Sequence, residues 1–101
     1  MFAISRFRVS GNAGSFRERA EAAAQFFRGR DGCMGADLLQ NLDEPELWTI
    51  VSRWENVGSY RRAFSGYDAK MVLVPLLSEA IDEPSAYDDP DEVGINLPRS
   101  L

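Results

Sequence analysis

The segment Leu47–Trp54, LWTIVSRW, constrains the fold more than any other part of the chain. It is rich in β-branched and aromatic residues and follows the turn formers Asp43, Glu44 and Pro45, so it reads as a strand. One face carries Trp48, Ile50, Ser52 and Trp54; the other carries Leu47, Thr49, Val51 and Arg53. An antiparallel sheet with one face in water shows polar residues on that face. Here both faces are largely apolar, so the fold must cover its sheet from both sides. Phe2–Val9 repeats the pattern, with Phe2 and Ile4 opposite Ala3, Phe7 and Val9.

The segments between these strands are helical or turn-like. Ser15 and Glu18 match a capping box, and Phe16, Ala20, Ala23 and Phe27 follow at helical spacing. Cys33–Leu42 reads as a second strand that returns through the Asp43–Pro45 turn into Leu47–Trp54 as a hairpin. Asn56 is placed to cap a second helix with the stripe Val57, Tyr60, Phe64 and Tyr67, which Gly66 interrupts. A further helical stretch runs from about Asp68 to Ala80, and Ile81–Tyr87 reads as a short strand that Pro84 confines to an edge. The order strand–helix–strand–strand–helix–strand predicts an α+β, ferredoxin-like split βαβ fold, with an antiparallel sheet carrying its helices on one face. The apolar second face then calls for another copy of the same sheet, which closes a dimeric α/β barrel. The expected partner is therefore a second copy, a homodimer through the sheet face.

Composition narrows the function. A length of 101 residues makes one domain, and no apolar run approaches the roughly 20 residues that span a bilayer. The opening MFAISRFRV alternates and does not resemble a signal peptide, and the single cysteine, Cys33, suits a reducing, cytoplasmic setting. There is no histidine at all. His-based zinc sites, Ser-His-Asp triads and His-ligated haem are thereby excluded, and no metal, haem or flavin cofactor is expected. Residues 1–81 balance ten acids with ten bases, and the net charge of −5 lies wholly in residues 82–101. A neutral body with an acidic tail lacks the basic stripe that nucleic acid requires. The expected organisation is a domain over residues 1–87 and an acidic C-terminal arm over 88–101.

The segments GCMG (Gly32–Gly35) and WTIVSRWENVGSYRRAFSG (Trp48–Gly66) resemble the antibiotic biosynthesis monooxygenase family, small dimeric α+β barrel proteins. The resemblance covers about residues 1–87. It implies one of three outcomes: an oxygenase that needs no metal or flavin, a haem-degrading enzyme, or a protein of the same fold with no established activity. Trp54 matches a pocket tryptophan at the end of the third strand, and Tyr60 matches a substrate-facing tyrosine. Two positions depart from the pattern. Ile50 stands where an amide side chain is often found, and Phe64 stands where haem-degrading relatives carry the iron-ligating histidine.

Two functions follow as expectations. The first is a cofactor-independent monooxygenase acting on a small aromatic, polyketide-like substrate. Trp54 and Tyr60 are its candidate catalytic residues, and Phe16, Phe27, Ile50, Ser52 and Phe64 its substrate-binding residues, with no metal ligands. Such chemistry needs an apolar pocket, aromatic contacts for the ring and polar groups that share a proton. Ser52 lies on the Trp54 face, and Arg6 or Arg53 would contribute if either turned inward. The alternative is a non-catalytic homodimer that binds a hydrophobic ligand or a protein partner. An aromatic stripe at helical spacing packs a core as readily as it lines a pocket.

Overall fold

The computed structural model describes residues 1–96. The elements run β1 (Phe2–Arg8), α1 (Ala13–Arg28), β2 (Cys33–Gln40), β3 (Leu47–Trp54), α2 (Val57–Arg62), α3 (Tyr67–Leu77), β4 (Ala86–Tyr87) and α4 (Pro90–Asn96). The sheet is antiparallel with the order β2-β3-β1-β4. This is the α+β, ferredoxin-like arrangement expected from the order of elements.

The period-two alternation decides which residues meet the helices. Ala3 and Phe7 of β1, Ala36 of β2 and Trp48, Ile50, Ser52 and Trp54 of β3 are buried beneath them. α1 lays Phe16, Ala20, Ala23, Ala24 and Phe27 on this face. Its alanines have almost no exposed surface, so the helix packs closely on the sheet, with Ala69, Leu73 and Leu76 of α3 completing the core. The opposite face is left to Phe2, Ile4, Leu47 and Val51, with Leu39 half exposed and Arg8 and Arg53 exposed.

Three local details differ from the sequence expectation. The first helix begins at Ala13, and its cap is Asn12, whose side chain accepts the Ser15 N–H at 3.0 Å. Asn12 thus takes the place of the expected Ser15–Glu18 box: the cap lies three residues earlier, and its amide oxygen accepts the N–H of Ser15, which leaves Ser15 inside the helix. Tyr67 does not join the stripe of the second helix; it opens α3 and is 75% exposed. The last strand pairs only Phe2 with Tyr87 and Ala3 with Ala86, since Pro84 has no N–H for the ladder.

At Asn56 the expectation and the structure agree: its side chain accepts the Ser59 N–H at 2.9 Å. Gly32 has a φ of +83°, and a Cβ there would collide with the Ser59 side chain. Both the backbone and the space therefore require glycine where β2 begins beneath α2. The stretch expected to form an acidic arm contains α4, preceded by Asp88 and Asp89, and its residues 97–101 lie outside the described residues. No helix of the described residues is long and apolar enough to cross a membrane.

Candidate active site

The short β4 creates the site. β1 needs a partner along its outer edge, but the ladder stops after Ala3. Further along, Ile4 donates its N–H to the Ser85 carbonyl at 2.7 Å and Ile81 donates to the Arg6 carbonyl at 2.8 Å. Residues 82–84 arch away between these two anchors. Arg6 fastens the arch from the strand, with Nε and Nη2 each 2.7 Å from the Glu83 carboxylate. The gap between arch, β1 and helices is a cavity of about 280 Å³. Ile4, Phe64, Leu77, Ala80 and Ile81 form its apolar wall, while Ser5, Tyr60 and Ser85 supply hydroxyls and Arg6, Asp82 and Glu83 stand at its mouth.

α2 holds Tyr60 at this wall because the Asn56 cap fixes where the helix starts. The Tyr60 ring packs on Trp54 with centroids 5.7 Å apart and on Phe64 at 5.1 Å. Burial pushes the Tyr60 phenol above its ordinary value of 10.0, with the Ser85 side chain acting the other way. The hydroxyl therefore keeps its proton at neutral pH and serves as a hydrogen-bond donor. Glu83 is held below the usual carboxylate range by its hydrogen bonds to Arg6, and so is a poor base. Asp82 is the carboxylate at the mouth without an ion-pair partner among the described residues.

The other candidate residues lie behind this wall or away from it. Trp54 is 1% exposed, touches Phe27 and Tyr60, and donates its indole N–H to Ser52 Oγ at 2.8 Å. Ser52 is thus committed to Trp54, which explains a buried hydroxyl on an otherwise apolar face. Phe27 and Ile50 are buried in the core. Phe16 belongs to a different group, packed on Phe7 and Trp48. Of the seven candidates, Tyr60 and Phe64 line the cavity. Arg53 lies on the open face of the sheet, and Arg6 reaches the mouth through the sheet edge.

Ser5, Asp82, Glu83 and Ser85 were not among the sequence candidates. The one signal that could have found the last three was Pro84, which breaks the edge strand. Among the described residues no cluster of three or more Cys, Asp or Glu is placed to hold a metal ion.

The model of the family described as antibiotic biosynthesis monooxygenase matches residues 2–69, from β1 into α3. The chain belongs to this family. Solved structures agree on the fold of this family member. A conserved protein from Methanosarcina mazei Go1 is 22% identical with a TM-score of 0.68, covering 84% of each chain. SnoaB, a cofactor-independent oxygenase from Streptomyces nogalater, is 21% identical with a TM-score of 0.69, covering 88% of this chain and 94% of its own. No curated protein matches the chain.

Proposed function

We propose that this member of the antibiotic biosynthesis monooxygenase family is a homodimeric, cofactor-independent oxygenase of a small aromatic substrate bound in the Tyr60 cavity. The observation that carries the reading is a protonated, partly buried tyrosine hydroxyl in the wall of a cavity that sets an apolar side, Ile4, Phe64, Leu77, Ala80 and Ile81, against a polar one. The likeness to SnoaB, itself a cofactor-independent oxygenase, supports the same reading. A volume of about 280 Å³ lies just below the roughly 300–1,000 Å³ of drug-sized ligand pockets and favours a substrate of one or two rings.

In this reading a phenolic substrate loses its proton and becomes an electron-rich anion. Tyr60 donates a hydrogen bond to the anionic oxygen, and Asp82 is the carboxylate placed to take the proton. The anion reduces O₂ directly; one oxygen atom ends on the ring carbon and the other leaves as water with the two hydrogens of the substrate. Phe64 stacks against the ring, and Trp54 with Phe27 forms the rigid wall behind Tyr60. Phe16, Ile50 and Ser52 act at a distance, through the core. The second copy covers Ile4, Leu47 and Val51 on the open face, and the histidine-free composition suits a reaction without haem.

Oxygen uptake against a panel of hydroquinones and anthrones tests the reading, with Tyr60→Phe beside the native protein. Uptake that falls at least tenfold in the variant, with the melting temperature unchanged, is the expected result. No uptake with any phenol overturns it. A second reading, ligand binding without turnover, is favoured by Trp54, which is sealed in the core with its N–H satisfied. Under that reading a fluorescent aromatic probe binds the native protein and Tyr60→Phe weakens it, with no oxygen consumed in either case. Light scattering that gives a monomer at micromolar concentration removes the dimer from both readings.

A further inference from the structure

α2 has a second side, facing away from the Tyr60 cavity. There Ser59, Arg62 and Ala63 meet the connection Gly29–Asp31 after α1 and Ser65 after α2, enclosing a cleft of about 320 Å³. The cleft is polar, and two of its residues are arginines. Arg30 lies over the Phe26 ring with its guanidinium carbon 4.9 Å from the centroid, and its Nη2 donates to the Ser65 carbonyl at 2.7 Å. Arg62 Nη2 donates to Ser59 Oγ at 3.3 Å. Neither guanidinium is ion-paired among the described residues, although the chain as a whole is acidic.

Three features make this more than two surface arginines. Ser59 is one of two buried polar side chains, 5% exposed, and its hydroxyl accepts from Arg62 while donating to no protein group among the described residues. Two carbonyls at the end of α2 that would repel an anion, those of Arg62 and Ser65, already accept hydrogen bonds from Arg30 and, for Arg62, from the Ser65 hydroxyl. Each guanidinium carries five N–H donors and uses one nitrogen in these bonds, which leaves donors for a ligand. Against them stands the Asp31 carboxylate on the rim, so the cleft has two positive charges and one negative.

We propose that this cleft binds a phosphate group, free or carried on a small metabolite, through Arg30, Arg62 and the Ser59 hydroxyl. A phosphate brings about two negative charges and several strong acceptor oxygens, which matches two guanidiniums and a hydroxyl better than a single carboxylate does. Asp31 weakens the site without closing it.

The test is a titration of the ¹⁵N-labelled protein with inorganic phosphate in a phosphate-free, low-salt buffer, following the amides of Gly29, Ser59 and Ser65. Saturable shifts are expected. Arg62→Gln should weaken binding about tenfold or more, from the loss of charge-assisted hydrogen bonds. Asp31→Asn should strengthen it, because it removes the opposing charge and leaves the fold intact. Arg62→Lys keeps the charge and removes the planar fork, so weakened binding in that variant separates a built site from general attraction to positive charge. Shifts that do not saturate, or that all three variants leave unchanged, overturn the proposal. A parallel titration with glycerol phosphate assigns the source: tighter binding than the inorganic ion points to a phosphorylated metabolite, weaker binding to the free ion.

Discussion

Two aromatic clusters lie on the same face of the same sheet, and α1 contributes to both. Phe16 joins Phe7 and Trp48, with ring centroids 5.1 and 5.7 Å apart. Phe27 joins Trp54 and Phe64 at 5.5 and 5.9 Å, and Tyr60 completes that group. The first cluster is built from α1 and the sheet alone, and all three of its rings are buried. The second borrows two half-buried rings, Tyr60 of α2 and Phe64 just past its end, beside the place where β4 fails to continue. Ring chemistry is the same in both. Whether an aromatic group becomes core or cavity wall is decided by the element next to it, here an edge strand that ends early.

The largest effects should fail to distinguish the clusters. Trp54→Ala and Phe16→Ala each remove a buried ring, and each should cost about 3–5 kcal/mol in denaturant unfolding. If Trp54→Ala costs under about 1 kcal/mol, the second cluster is a flexible pocket lining and the comparison breaks. Ser52→Ala comes next, at about 1–3 kcal/mol, because it leaves the buried Trp54 indole N–H without its acceptor. A thermal melt equal to that of the native protein would show that water or another group replaces it.

Phe64→Ala should cost less, roughly 1–2 kcal/mol, since its ring is only partly buried and already borders open space. It should also enlarge the cavity, so an aromatic probe with an added ring should bind the variant better than the native protein. Equal preference for the two probes would place Phe64 in the core with Phe16. The smallest effect concerns protons. In a Tyr67→Phe, Tyr87→Phe background, the Tyr60 phenol should titrate above 10.0, because burial disfavours the phenolate. Its folded value is raised, so its stabilising contribution is complete below pH 10 and is lost as the pH climbs through the folded value. An ultraviolet absorbance titration at or below the ordinary value would place Tyr60 in open water.

The open face of the sheet offers a second contrast within the same strands. Even-numbered residues of β3 are buried by helices that belong to the chain, whereas Leu47, Thr49 and Val51 stay only partly covered. α1, α2 and α3 pack on the other side, so among the described residues no helix of the core covers this face. That is why the dimer is part of the proposed function.

The sequence by itself determined the layers and most element boundaries. Alternation in LWTIVSRW placed Trp48, Ile50, Ser52 and Trp54 on one face, and Asn56 marked the start of α2. These are local signals, carried by side-chain period and by one capping bond, and they survive without knowledge of what packs above them. The absence of histidine likewise excluded a His-ligated haem from the sequence alone. Only the tertiary structure decided which aromatic residues share a cluster, because Phe16 and Phe27 lie on one stripe and are sorted by strands distant in sequence. It also brought Ser85 and Glu83 to Tyr60 and Arg6. Such contacts join residues far apart in the chain through the edge of β1, and no local pattern records which edge a broken strand will leave open.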